Sequence, residues 1–140
     1  MANKIVKGCG FTHICLFVSD YEKSHQFYCE GLGMQQTASW GELGSRACML
    51  DLGDGNFIEM FEAKSSHGEH GPWEAGTWGH LALHTEDVKG AFSAAIQAGA
   101  KEKTAPNKTA LGTVPPTPVE VAFVYGPDGE EIEFFKFLAE

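Results

Sequence analysis

Phe11-Thr12-His13-Ile14-Cys15-Leu16-Phe17-Val18 returns 67 positions later as Trp78-Gly79-His80-Leu81-Ala82-Leu83-His84-Thr85. Both stretches set an aromatic residue two positions before a histidine and aliphatic residues at the same offsets after it. Self-similarity at a fixed spacing marks a repeated structural unit. The same offset carries Asp20 onto Asp87, and each aspartate opens an amphipathic run that a glycine closes, Gly33 and Gly99. Asp accepts hydrogen bonds from the free N–H groups of a helix start, and Gly reaches the left-handed conformation that ends one. Both runs therefore predict helices.

The ends of the copies also match. Asp54-Gly55-Asn56-Phe57-Ile58-Glu59-Met60-Phe61 lies against Asp128-Gly129-Glu130-Glu131-Ile132-Glu133-Phe134-Phe135, now at an offset of 74, so the second copy holds seven more residues. Asp-Gly between apolar runs (49–52 and 57–61; 121–125 and 132–137) predicts a hairpin in each copy. The surplus falls in residues 101–120, where Pro106, Pro115, Pro116 and Pro118 predict a long loop. Residues 34–46 predict one strand and a turn, and the polar, Gly-rich residues 62–77 a linker. Each copy, 10–62 and 77–137, thus reads as a βαβββ unit. About sixty residues make a marginal core alone, so the two sheets should pair or pack into one curved mixed-sheet surface with a cleft on its concave side, an α+β architecture.

Strand side chains alternate faces. With Ile14, Leu16 and Val18 beneath the first helix, Phe11, His13, Cys15 and Phe17 face the cleft. Equal parity puts Leu81 and Leu83 inside and Trp78, His80 and His84 on the cleft side. In the last strands Ile58 and Ile132 face the helices, leaving Glu59 and Glu133 to the cleft. A carboxylate between apolar neighbours is costly unless it is paired or bound to a cation. His13 with His80 and Glu59 with Glu133 form a two-nitrogen, two-oxygen set suited to Ni²⁺, Zn²⁺, Co²⁺, Mn²⁺ or Fe²⁺. Phe11, Phe17, Trp78, Phe123 and Phe135 give the cleft an aromatic wall; His84 either lines this pocket or sits at its rim. His67 and His70 read as solvated linker residues, and His25 as a helix-surface residue.

Composition narrows the partners. The 140 residues carry 10 Lys+Arg against 19 Asp+Glu, a formal charge of −9, which argues against nucleic acid and against an anionic membrane surface. The longest apolar runs, such as 14–18 and 121–125, are too short to span a bilayer. Residues 1–10 have lysines but no apolar stretch of signal-peptide length. Cys9, Cys15, Cys29 and Cys48 form no CxxC pair and read as reduced thiols of a cytoplasmic protein.

Gly79-His80-Leu81-Ala82-Leu83, and residues 121–124 running through Gly126-Pro127-Asp128-Gly129 to Ile132-Glu133, carry a resemblance. Over about residues 11–137 the chain resembles the vicinal oxygen chelate superfamily of glyoxalases, bleomycin-resistance proteins and ring-cleaving dioxygenases. Within it, the chain is most similar to the glyoxalase I (lactoylglutathione lyase) branch. The resemblance implies one domain over residues 8–140, with His13, Glu59, His80 and Glu133 as metal ligands. It implies Glu133 as catalytic base and Glu59 as its symmetric partner. The activity implied is conversion of the methylglyoxal–glutathione hemithioacetal through a metal-bound enediolate. It further implies a homodimer whose metal sites each take one His/Glu pair from each subunit. Two positions depart from the branch: Phe17 stands where a glutathione-binding Arg is found, and Ala63 where an Asn is common. These keep open an epimerase or isomerase that does not use glutathione, or a non-catalytic drug-binding protein.

Overall fold

A computed structural model describes residues 4, 5, 7, 9, 11–63 and 79–138. His67, His70 and Trp78 lie outside them. The first half runs β1 (His13–Val18), α1 (Tyr21–Gln26) continued by a π-helical turn (Phe27–Gly31), β2 (Gln35–Trp40), β3 (Ala47–Asp51) and β4 (Phe57–Glu62). The second runs β5 (Leu81–His84), α2 (Val88–Gln97), β6 (Lys101–Leu111), β7 (Thr117–Tyr125) and β8 (Glu131–Phe137). Each half forms its own four-stranded mixed sheet, in the orders β1-β4-β3-β2 and β5-β8-β7-β6. The first strand pairs parallel with the last, and the remaining pairs are antiparallel.

Both helices start as expected, with Asp20 accepting from the Lys23 N–H at 3.1 Å and Asp87 from the Gly90 N–H at 2.9 Å. Gly33 and Gly99 follow the helices at φ 77° and 104°, where a Cβ would be strained. The strand faces alternate as the sequence dictates. Val18, Leu50, Ile58 and Met60 meet Val88, Ala95, Val124, Ile132 and Phe134 in one contiguous core on the helix side of both sheets.

One expectation is corrected. Residues 101–120 are not a long loop: 101–111 form β6, and β7 begins at Thr117. β6 is the outer edge of its sheet, so one side of its backbone has no ladder to complete, and a missing N–H is tolerated there. The register shifts between Thr104 and Asn107, and Pro106 sits within that irregularity. Only Pro115 and Pro116 belong to the connection.

The halves are clasped at the tip of the β7–β8 hairpin. The buried Tyr28 hydroxyl donates to Glu130 Oε1 at 2.6 Å, and Glu130 Oε2 accepts from the Asp128 N–H at 2.8 Å. The Asp128 carboxylate in turn accepts from the Ser19 N–H at 3.1 Å and from the Ser19 hydroxyl. At Gly31 a Cβ would collide with the Ala98 side chain, so glycine allows the π-helical turn to approach the end of α2. Tyr28→Phe leaves the half-buried Glu130 without its phenol donor. It is expected to cost about 1–3 kcal/mol in urea unfolding.

Candidate metal and substrate site

His80 and Glu133 meet across the β5–β8 seam, Nε2 to Oε2 at 2.9 Å. Glu133 is buried, 7% exposed, on a strand whose alternate residues Ile132 and Phe134 fill the core. Phe123, opposite Glu133 in register, sets its ring edge-on to the His80 imidazole at 5.6 Å between centroids. Burial pushes the Glu133 carboxyl above the usual carboxylate range, a shift that His80 opposes.

The first half repeats this placement. Glu133 lies opposite Ala82, two residues beyond His80; Glu59 lies opposite Cys15, two residues beyond His13. Among the described residues no hydrogen bond joins His13 to Glu59, and no three or more His, Cys, Asp or Glu side chains gather where they could hold one ion. One chain therefore brings together His80 and Glu133 but not the full set of four. Cys15 faces the same side as His13, and its thiol is pushed up by burial and by the Glu59 carboxylate.

The aromatic residues divide between the sheets. Phe11 and Phe17 are exposed on the His13 face, 59% and 56%. Phe123 stands beside His80, and Phe135 packs edge-on against Phe137 at 4.8 Å. His84 is exposed, opposite Phe135 in register.

Three features of these faces were not anticipated. Trp40 and Phe61 extend the aromatic row from Phe17, with Phe17–Phe61 stacked at 5.7 Å and Trp40–Phe61 edge-on at 6.0 Å. Phe61 shares the parity of Glu59 and was findable; Trp40 lies in a stretch with weak strand periodicity. Lys103 bonds Glu131 at 2.6 Å and stands over the Phe123 and Tyr125 rings; the proline pattern had hidden its strand. A cavity of about 350 Å³ at the seam between the halves is lined by Cys15, Tyr28, His80, Lys103 and Glu131 among others.

Arg46, the chain's one arginine, is elsewhere. It forks onto Glu62 at 2.8 Å and Glu22 at 2.6 Å, with its guanidinium 4.5 Å from the Tyr21 ring centre on the helix side. Hydrogen bonds from Arg46 hold the Glu62 carboxyl down at about 2, against an ordinary 4.5. A carboxyl depressed by folding stabilises the fold above its unfolded pKa, and that contribution disappears as pH falls through the folded value. Arg46→Met is expected to destabilise the protein at pH 7. Its deficit against wild type should close between pH 4.5 and about 2 in urea titrations at stepped pH.

No helix among the described residues is long and apolar enough to cross a membrane. Fold and site together define an α+β protein of two like-ordered mixed sheets, each presenting a histidine and a glutamate at the same strand offset. The family description for the Glyoxalase/Bleomycin resistance protein/Dioxygenase superfamily matches residues 10–134, and the chain belongs to that superfamily. A probable lactoylglutathione lyase of Synechocystis sp. is 29% identical over 126 residues, covering 89% of this chain and 92% of that protein. A glyoxalase family protein from Enterococcus faecalis superposes with a TM-score of 0.72 at 19% identity, covering 91% and 97% of the two chains. TnmS3, an antibiotic binding protein from Streptomyces sp. CB03234, does so at 0.67 with 21% identity, covering 93% and 97%.

Proposed function

We propose that this protein is a divalent-metal-dependent isomerase of the lactoylglutathione lyase type, acting on a substrate with oxygens on two adjacent carbons. The observation that carries the reading is the 2.9 Å His80–Glu133 contact, with His13 and Glu59 set at the same offset in the other sheet. One imidazole and one carboxylate from each half make a donor set suited to Ni²⁺, Zn²⁺ or Co²⁺, and also to Mn²⁺ or Fe²⁺. The residues fit such an ion: a carboxylate as buried as Glu133 is costly without a cation beside it. Bound there, the ion supplies Lewis acidity toward the two substrate oxygens.

The chain's own part is proton transfer. Glu133, with a raised proton affinity, takes the proton from the carbon next to the carbonyl and returns it to the neighbouring carbon. A hemithioacetal R–CO–CH(OH)–SR′ thereby leaves as the isomeric thioester R–CH(OH)–CO–SR′, with no co-reactant consumed. Glu59 is the symmetric partner of Glu133 across the donor set.

Four ligands divided between two separate sheets favour a homodimer. The sheet edges β1 and β5 carry or adjoin His13 and His80. A second copy laying its β5 along this β1 gives two equivalent sites, each built from one pair of each chain. Residues 8–140 act as one unit in this scheme, and four unpaired cysteines support a reducing, cytoplasmic setting.

The test loads the protein with Ni²⁺, Zn²⁺ or Co²⁺ and supplies methylglyoxal hemithioacetals of glutathione and of an uncharged thiol, following thioester absorbance. Thioester formation with at least one ion is expected. Neither thioester nor solvent-deuterium incorporation with any of the three ions would overturn the reading. The exposed rings and the antibiotic-binding neighbour favour a second reading, a non-catalytic small-molecule binder. Refusal of every divalent ion in elemental analysis would make it the leading one.

A further inference from the structure

The rings of the first sheet form a row with a definite place relative to the metal-ligand positions. Phe17 on β1 is opposite Phe61 on β4, Phe61 is opposite Ala47 on β3, and Ala47 is opposite Trp40 on β2. The small Ala47 side chain lets Trp40 reach across its strand to Phe61, edge to face. The row therefore crosses the whole sheet, one side-chain step beyond the Cys15–Glu59 level. It stays open, with Phe17 56% and Trp40 45% exposed. An apolar shelf of this kind beside a pair of metal-ligand residues is shaped to receive a flat group attached to the reacting end of a substrate.

Charge narrows what that group can be. Among the described residues this face carries no lysine or arginine, since Arg46 is turned to the helix side and held by Glu22 and Glu62. On the His80–Glu133 face of the second sheet, Lys103 is neutralised by Glu131 at 2.6 Å. Glu59 and Glu133 would balance the divalent ion they hold, leaving no net positive charge beside the row. An anionic tail laid along the row would therefore meet no cation of the first sheet; the exposed Lys101 stands on the outer edge strand of the second sheet, away from the row.

We propose that the Phe17–Phe61–Trp40 row seats the non-reacting end of the substrate, and that this end is a planar aromatic group without negative charge. This rests on the isomerase reading and names the substrate class for it.

Calorimetric titration of the protein, with and without Zn²⁺, uses three compounds. These are 2-hydroxyacetophenone (ring, adjacent oxygens, no charge), hydroxyacetone (the same oxygens, no ring) and S-benzylglutathione (ring, two carboxylates). The hydroxyketone with the ring is expected to bind about tenfold tighter than hydroxyacetone, and tighter than S-benzylglutathione. Phe17→Ala and Trp40→Ala should each erase most of that ring preference while leaving hydroxyacetone affinity unchanged. Phe17→Leu, which keeps an apolar side chain at this exposed position, should reproduce the loss without disturbing the fold.

Equal binding of the two hydroxyketones, or tightest binding of S-benzylglutathione, overturns the proposal. So do variants that change the oligomeric state in sedimentation and not the ring preference, because the row is then an interface between copies. A ring preference without α-hydrogen exchange in D₂O upholds the row and overturns the isomerase reading. Isomerisation of the glutathione hemithioacetal with KM unmoved by Phe17→Ala overturns the row alone.

Discussion

Glu133→Gln is expected to lower kcat/KM for the isomerisation by about a thousandfold. The amide keeps the volume of the side chain and its neighbours Phe123 and Ala82, but it cannot accept the proton that must leave the substrate carbon. It also removes the negative charge that faces the His80 imidazole at 2.9 Å. Glu59→Gln should cost less, about tenfold, because Glu59 is half-exposed and meets no imidazole in its own half. Steady-state rates with bound metal measured on each sample check both values. A Glu133→Gln protein that holds its metal and keeps a rate within threefold of wild type would sink the assignment of the base.

The second large effect is a recovery. A chain carrying His13→Ala and Glu59→Ala is expected to be inactive, as is one carrying His80→Ala and Glu133→Ala. Mixed at equal concentration and allowed to exchange subunits, half of the dimers are heterodimers, each with one site assembled entirely from intact residues. Activity and bound metal should then return to roughly a quarter of the wild-type level. Continued inactivity in a sample shown to contain heterodimers would mean that each chain builds its own site.

What the sequence disclosed follows from what alternation and turn chemistry encode. Ile14, Leu16 and Val18 turn inward and His13, Cys15 and Phe17 outward, because a strand buried on one face must alternate. Asp20 and Asp87 announce their helices through a local hydrogen bond that needs no tertiary context. β6 was illegible because proline penalises a strand only where its N–H has a ladder partner, and a sheet edge is a property of the assembled fold. Lys103–Glu131 was illegible for the same reason, being a contact between residues 28 apart on strands that are not neighbours in the sheet. Trp40 reaches Phe61 only because Ala47 lies between them, a relation that the linear order of residues does not display.

The irregularities of the two sheets are not evenly distributed. β2 loses register between Gln36 and Ala38, and β6 loses it twice around Pro106, whereas β1 and β5 pair with their neighbours in unbroken register. A bulged margin is a poor template for another strand, while a regular margin is a good one. Each half therefore has one flank that can be extended and one that cannot. Were a second copy to join its β5 to this β1, as the proposed dimer requires, the regular margins would be used up and the bulged far sides would leave no propagating end for a fibre.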